Sequence, residues 1–340
     1  MDLGIAGKKA LVCGASAGLG YACAQALVRD GVHVVIVART EGPLVDAAAR
    51  LAALGCGQVD WVAADVTSTE GRARIFASHQ DFDILITNAA GPAPGDFRQW
   101  DRATWHRAID DNMLTPIELI KATVDGMMAR GFGRIINITS SAVKSPVDGL
   151  GLSTGARSGL TGFVAGLARS TVARGVTINN LLPGTFDTAR LAGNFAAQAK
   201  REGSTPEQVR ANRLAKHPAH RFGRADELGH TCAYLCSVHA GYINGQNILL
   251  DGGSFSGVFC ARGQPRSRRA GAFGKRVMDL HATEPGVFAH GCLPPPRSRS
   301  LRMECASGVW GAVHRQGTAT LKLHPIQVGL FGAQAIVLVP

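Results

Sequence analysis

Short apolar runs alternate with longer amphipathic stretches over the first 257 residues. The runs are rich in Val and Ile and almost continuous in hydrophobicity, which is typical of strands buried on both faces of a parallel sheet. The predicted strands are 10–13, 33–38, 59–64, 84–87, 134–138, 177–182 and 247–250. The predicted helices are 18–30, 41–54, 69–79, 101–130, 153–173 and 225–237, with Asp101 as the N-cap of the fourth. This order predicts an α/β fold, a Rossmann-type doubly wound parallel sheet of about seven strands with helices on both faces.

The pattern changes after residue 257. Residues 258–340 contain 7 of the 15 prolines, and their 11 Lys and Arg face only 3 Asp and Glu. Most of the formal net charge of +11 belongs to this part, so the charge is not a nucleic-acid footprint of the whole chain. We expect a folded domain over residues 1–257 and a basic, Pro-rich, poorly ordered extension over residues 258–340. The alternatives are a basic arm for a membrane surface or nucleic acid, and a segment translated out of the ancestral reading frame.

Composition places the chain among soluble globular proteins. Of its 340 residues, 46% are hydrophobic and 18% are charged, which excludes a coiled coil and a chain that is disordered throughout. No apolar run has the length of a membrane-spanning helix, and the N-terminus lacks the apolar stretch of a signal peptide, so we expect a cytoplasmic protein. The eight cysteines form no CxxC pair and no zinc-site spacing, so we expect reduced thiols and no metal site.

A glycine-rich turn, Gly14-Ala-Ser-Ala-Gly18-Leu-Gly20, joins the first predicted strand to the first predicted helix. Glycine lets the backbone turn sharply and approach a pyrophosphate, and the amides of a helix N-terminus are free to bind it. Such a turn alone is a weak signal. The strand–helix alternation that follows strengthens the prediction of a dinucleotide site.

Further motifs follow the glycine turn in order. They are Asp65 in Ala-Ala-Asp-Val, Asn88-Ala-Ala-Gly91, Asn112, the strand over 133–140 that ends in Ser140, Pro183-Gly184, Gly245-Gln246 and Asp251-Gly-Gly253. In these motifs the chain resembles the classical short-chain dehydrogenase/reductase (SDR) family over roughly residues 5–254, and it is similar to the family's bacterial 3-oxoacyl-carrier-protein reductases. The resemblance implies a dinucleotide held by Gly14, Ser16, Gly18, Leu19, Gly20, Arg39, Asp65, Val66, Asn88, Ala89, Ala90, Arg157, Pro183, Gly184 and Thr188.

The choice of cofactor depends on the end of the second predicted strand, Val-Ala-Arg39-Thr. An acidic residue there would bind the ribose hydroxyls of NAD, whereas Arg39 offers a fork of donors to a 2′-phosphate. We therefore expect NADP(H) in preference to NAD(H). Ala17 stands where many NADP-using relatives carry a second basic residue, so the resemblance is incomplete at this point.

The chain departs from the family at the active site. The family reduces a carbonyl with a serine, a tyrosine, a lysine and an asparagine; Ser140 and Asn112 match the first and last, but Ser153 and Arg157 occupy the tyrosine and lysine positions. No tyrosine lies between residues 22 and 233 to replace the missing one. A serine hydroxyl is a far weaker acid than a phenol, and arginine does not exchange a proton near neutral pH.

Two functions of different classes follow. The first is an NADP(H)-dependent SDR-type oxidoreductase that reduces a ketone or oxidises a secondary alcohol, slowed by the loss of a positioned proton donor. The second is a non-catalytic dinucleotide-binding regulator or scaffold subunit with a degenerate active site. Lys144, Asp148, His217 and His220 lie near the site in this fold, and we interpret them as solvated or surface side chains.

The resemblance implies that the region over residues 185–224 covers the substrate. Between residues 186 and 221 it carries 7 Lys and Arg against 3 Asp and Glu, which suits a solvated pair of helices or, alternatively, an anionic acyl thioester. The resemblance also implies a homo-oligomer, a tetramer or a dimer. A nucleic-acid partner is not expected, because the aromatic residues after residue 257 are scattered and do not interleave with the arginines.

Overall fold

The computed structural model describes residues 1–257 and the backbone of four short strands beyond them. Seven parallel strands form one sheet in the order β3-β2-β1-β4-β5-β6-β7. The strands are β1 Lys9–Cys13, β2 His33–Ala38, β3 Val59–Ala63, β4 Ile84–Thr87, β5 Gly133–Ile138, β6 Val176–Pro183 and β7 Asn247–Leu250. The predicted α/β class and the doubly wound sheet are confirmed. The order runs outward from β1 in both directions, which opens a crevice beyond the carboxyl ends of β1 and β4.

Nine α-helices are formed by residues 1–257. They are α1 Gly18–Arg29, α2 Glu41–Ala52, α3 Thr69–Ser78, α4 Arg102–Ile109, α5 Thr115–Arg130, α6 Gly151–Thr171, α7 Ala189–Glu202, α8 Pro206–Ala215 and α9 Ala225–Cys236. α1, α2 and α9 cover one face of the sheet, and α3, α5 and α6 cover the other. Val12 of β1 packs into the first layer and Leu11 into the second, so successive residues are both buried. This double burial explains why the strands are continuously hydrophobic.

The helix predicted over residues 101–130 is interrupted in the structure. A π-helical turn, Asp110–Leu114, separates α4 from α5. Pro116 explains the interruption, because it has no N–H to donate to the carbonyl of Asn112, as a regular α-helix would require. The turn also buries the side chain of Asn112. The predicted cap is confirmed, since the Asp101 carboxylate accepts the N–H of Thr104 at 2.7 Å.

The region over residues 185–224 contains α7 and α8 and has a small apolar cluster of its own. Leu191 and Phe195 of α7 pack with Val209 of α8 and with Phe222. Thr188 starts α7 by accepting the N–H of Leu191. We call residues 185–224 the lid region.

The chain divides into two compact units, Met1–Ser267 and Arg268–Pro340. In the second unit, β8 Met303–Ala306 pairs antiparallel with β9 Val309–Ala312, and β10 Val328–Phe331 pairs antiparallel with β11 Gln334–Val337. Apart from these strands, the extension expected over residues 258–340 lies outside the described residues, and its poor order stays a prediction.

The described residues contain neither a candidate membrane-spanning helix nor a candidate metal site. No helix there is both long enough and apolar enough to cross a membrane. No three His, Cys, Asp or Glu side chains come together there as a metal site. The cysteines of residues 1–257 are free thiols, and four of these five are buried.

Candidate active site

The turn between β1 and α1 leaves its backbone groups accessible to a ligand. Gly14 and Gly18 have φ angles of 59° and 62°, a region that favours glycine. A β-carbon on Gly20 would lie 2.3 Å from the carbonyl oxygen of Gly14, so this position has no room for a side chain. Ala17 provides no side-chain cap for α1, so the first amides of the helix are left for a ligand.

The glycine turn forms one wall of a cleft of about 430 Å³. The ends of β1, β2, β3 and β4 and the start of α7 supply the other walls, because the sheet order makes these segments neighbours. The predicted cofactor residues in the lining are Gly14, Ser16, Gly18, Leu19, Arg39, Asp65, Val66, Asn88, Ala89, Ala90 and Thr188. Gly20, Arg157, Pro183 and Gly184 lie outside it.

Two polar side chains in the cleft, Asn88 and Asp65, are held in place by local contacts. Asn88 donates from Nδ2 to the carbonyl of Gly14 at 3.3 Å, which joins the β4 loop to the glycine turn. One carboxylate oxygen of Asp65 accepts the N–H and the hydroxyl of Thr67 at 3.0 and 2.8 Å. Arg39 is exposed and has no ion-pair partner among the described residues.

Arg157 points inward from α6 and is only 9% exposed. Its Nη2 donates to Oδ1 of Asn112 at 2.8 Å and to the carbonyl of Ala89 at 3.5 Å. Its Nη1 donates to the carbonyl of Thr139, just beyond β5. Nε has no partner. The guanidinium therefore links the ends of β4 and β5 to the π-helical turn, and each of its acceptors is a neutral oxygen.

The charge of Arg157 has no carboxylate partner in the described part of the chain. Burial lowers the pKa of Arg157 to about 10, and the nearby positive charge of Arg190 also lowers it. The side chain is therefore still charged at neutral pH, in surroundings that disfavour the charge.

Ser140 and Ser153, which the resemblance places at the family's serine and tyrosine positions, differ in their contacts. Ser140 follows β5, and its Oγ accepts the N–H of Ala142 at 3.1 Å, which caps a short 3₁₀ turn. Ser153 lies in the first turn of α6 and is half-buried. Its Oγ is 3.7 Å from the point that a β-carbon on Gly91 would occupy. Gly91 thus brings the loop after β4 against the start of α6.

Sequence reasoning did not assign Arg190 to the site. Arg190 lies in the first turn of α7, lines the cleft and donates from Nη2 to the carbonyl of Gly91 at 3.1 Å. Its position two residues after Thr188, an expected cofactor contact, was the signal available. His217 was expected to be a solvated or surface side chain, and this expectation is wrong. It is buried and forms a hydrogen bond with Ser254 Oγ at 3.2 Å.

A family model described as enoyl-(acyl carrier protein) reductase matches residues 14–254, which is most of the chain. The match extends from the glycine turn to the segment after β7 and includes the whole cleft. The chain belongs to the short-chain dehydrogenase/reductase family. This SDR protein is therefore an oxidoreductase by family.

Relatives of this SDR protein match about three quarters of its length. It is 31% identical over 255 residues to dehydrogenase/reductase SDR family member 4 of Oryctolagus cuniculus, covering 74% of this chain and 94% of the relative. It is 32% identical over 249 residues to 3-oxoacyl-(acyl-carrier-protein) reductase FabG of Salmonella typhimurium, covering 73% and 98%. The crystal structure of L-sorbose reductase from Gluconobacter frateurii, complexed with NADPH and L-sorbose, superposes with a TM-score of 0.72 at 28% identity, covering 76% and 100%.

Proposed function

We propose that the protein is an NADP(H)-dependent oxidoreductase that reduces a ketone or oxidises a secondary alcohol. One observation carries the proposal: the glycine turn, Arg39 and the β4 loop line a single cleft at the sheet's switch point. The solved relative from Gluconobacter frateurii, complexed with NADPH and L-sorbose, supports a nicotinamide dinucleotide as the ligand.

The residues of the cleft fit such a dinucleotide. The uncapped amides of α1 and the side-chain-free surface at Gly20 suit a pyrophosphate. Asp65 and Val66 lie at the end where we place the adenine, and Asn88, Ala89 and Ala90 lie along the other wall. Thr188, which starts α7, lies beside Gly18, so its hydroxyl is placed to contact the ligand. When bound, a reduced nicotinamide supplies hydride to the carbonyl carbon.

Arg39 supports NADP(H) over NAD(H). It is exposed at the end of β2, and the described residues offer it no ion-pair partner, so its fork of donors is available to a 2′-phosphate. No acidic residue stands at this position to bind ribose hydroxyls instead.

Ser140, Ser153, Asn112 and Arg157 are proposed to handle the substrate oxygen and its proton in an altered way. Ser140 Oγ has a hydroxyl hydrogen to donate to a carbonyl oxygen, since its hydrogen bond to Ala142 uses it as an acceptor. Ser153 is too weak an acid to donate the proton that reduction requires. Arg157 holds Asn112, and its guanidinium keeps its own proton at neutral pH. Water is therefore the proton source, and turnover is slow.

The test is a titration with NADPH and with NADH, followed by quenching of tryptophan fluorescence. Trp100 and Trp105 are suitable reporters, because they approach Gly151 and Gly155 at the start of α6. We expect NADPH to bind more tightly than NADH. Arg39→Ala should weaken NADPH binding by about 10-fold or more, as expected for loss of a charge-assisted hydrogen bond, and leave NADH binding unchanged.

The control for this titration is Arg169→Ala, which removes an exposed arginine from the C-terminal end of α6. It should bind both dinucleotides like the parent protein. Equal affinity of the parent for NADPH and NADH would contradict the role of Arg39. Failure to bind either would favour the alternative, a non-catalytic regulator or scaffold subunit whose site has degenerated to Ser153 and Arg157.

We also propose a cytoplasmic homo-oligomer that acts on a small carbonyl or alcohol substrate. FabG, as a 3-oxoacyl-(acyl-carrier-protein) reductase, makes an acyl thioester one candidate substrate, and L-sorbose reductase makes a keto sugar another. The lid region's positive balance is compatible with the acyl thioester. Turnover assays with an acyl thioester and with a keto sugar distinguish the two candidate substrates.

A further inference from the structure

Positive charge collects around Gly91, beside the cleft that Ala90 and Arg190 line. Nη2 of Arg190 and Nη2 of Arg157 lie 3.1 and 3.2 Å from the point that a β-carbon on Gly91 would occupy. Ser153 Oγ lies 3.7 Å from the same point. Two guanidinium groups from different helices and one hydroxyl therefore converge on Gly91, which has no side chain to keep them apart.

Neither arginine is neutralised there. Arg190 donates to the carbonyl of Gly91, and Arg157 donates to two carbonyls and to the amide oxygen of Asn112. In the part of the chain that the structure describes, neither forms an ion pair with Asp or Glu. Arg157 is nine-tenths buried, and its Nε has no partner. Two like charges with only neutral acceptors are stabilised by an anion placed between them.

A ligand can replace two of the carbonyl acceptors that Arg157 and Arg190 now use. The bond from Arg157 to the carbonyl of Ala89 is 3.5 Å long, at the outer limit of a hydrogen bond. Arg190 is exposed, and its acceptor is a single neutral carbonyl. A carboxylate or phosphate oxygen is a stronger acceptor for guanidinium than either carbonyl, because the hydrogen bond is charge-assisted.

We infer that Arg157, Arg190 and Ser153 form a binding site for an oxyanion group of a ligand. Two sources share this chemistry: a carboxylate on the substrate, and a phosphate of the dinucleotide. The position of Ser153 favours the substrate, because the family's substrate-facing proton donor occupies that position. The protein then acts on an oxo or hydroxy acid in preference to a neutral ketone. The assignment of the source, though not of the anion site, rests on the proposed function.

The experiment is calorimetric titration of the full chain with oxalate, without cofactor and again with saturating NADP⁺. We expect saturable binding that weakens by about 10-fold or more in Arg190→Gln, since one charge-assisted bond is lost. Gly91→Ala should weaken it similarly, because the added methyl would lie 3.1 and 3.2 Å from the two Nη2 atoms and push the guanidiniums apart. Gly91 does not have a positive φ, so alanine is tolerated by the backbone. Arg201→Gln, which removes an exposed arginine near the other end of α7, is the matched control and should bind oxalate like the parent.

Undiminished oxalate binding in Arg190→Gln and Gly91→Ala, or no saturable binding to the parent, would overturn the inference. Equal oxalate affinity with and without NADP⁺ assigns the site to the substrate, as we expect. Competition between oxalate and NADP⁺ would instead assign it to a phosphate of the dinucleotide and overturn the oxo-acid assignment. If the protein fails to bind NADP⁺, the proposed function fails, while the cofactor-free titration still tests the anion site.

Discussion

Arg157 stands where the resemblance predicts the family's lysine. Its guanidinium contacts Asn112, Ala89 and Thr139, so it acts as a clamp between the ends of two strands and the π-helical turn. The substitution was visible in the sequence, because the motif register from Ser140 is intact. The contacts of the Arg157 guanidinium were not visible in the sequence, because no sequence pattern shows which acceptors surround a buried side chain. The contacts of Arg190 were likewise not visible in the sequence, because its position beside Gly91 depends on how the lid region packs against the site.

The buried charge of Arg157 predicts a pH dependence of stability. Its pKa is lowered to about 10 in the folded protein, below its ordinary value, so the unfolded chain holds this proton at pH values where the folded chain has released it. The free energy of unfolding should therefore rise, relative to Arg157→Gln, between about pH 9 and about pH 11. Urea denaturation of both proteins across this range measures the difference. A difference that stays constant with pH would contradict the burial of a charged Arg157.

At the scale of elements, the sheet was predictable and the break between α4 and α5 was not. Strands such as β2 are buried on both sides, so their Val and Ile runs mark them almost to the residue. The residues on both sides of the π-helical turn are helical, so the segment from α4 to α5 looked like one helix. Pro116 was the available signal, because proline removes the N–H that a regular helix would need at that position.

The glycine turn gives a prediction about α1. Gly20→Ala would bring a β-carbon to 2.3 Å from the carbonyl oxygen of Gly14, so the turn must shift. We expect a loss of about 1–3 kcal/mol in the free energy of unfolding, together with weaker NADPH binding. Gly166→Ala in α6 is the control, because a β-carbon there meets nothing within 4 Å; it should stabilise the protein by about 0.5–1 kcal/mol. If Gly20→Ala and Gly166→Ala had equal effects on stability and on NADPH binding, a close approach of Gly20 to the carbonyl of Gly14 would be ruled out.

At the scale of the molecule, the chain combines an SDR domain with a separate unit. The family model matches residues 14–254, which lie within the first unit, and the second unit begins at Arg268. The charge and the proline content of the sequence change after residue 257, before the end of the first unit. The boundary at residue 257 therefore stays a prediction.

Association of subunits is the property to test at this scale. Val238 and Tyr242, close together before β7, are both exposed in the single chain, Tyr242 fully so. We expect sedimentation velocity of the full chain at micromolar concentration to give the mass of a dimer or tetramer. Replacing both residues with serine should shift the population toward monomer, whereas the exposed pair Arg169→Ser and Arg201→Ser should not. A parent protein that sediments only as monomer would contradict the proposed homo-oligomer.

We propose that this SDR protein keeps the cofactor site of its family and lacks its proton donor. The most direct measurement is the rate of NADPH oxidation with oxo acids, keto sugars and 3-oxoacyl thioesters, for the parent and for Ser153→Tyr/Arg157→Lys. We expect slow turnover by the parent and a gain of about 10²–10⁴-fold in the double variant, the usual contribution of a positioned general acid. A parent that is already fast, with a slower double variant, would show that the proton arrives by another route and would contradict this proposal.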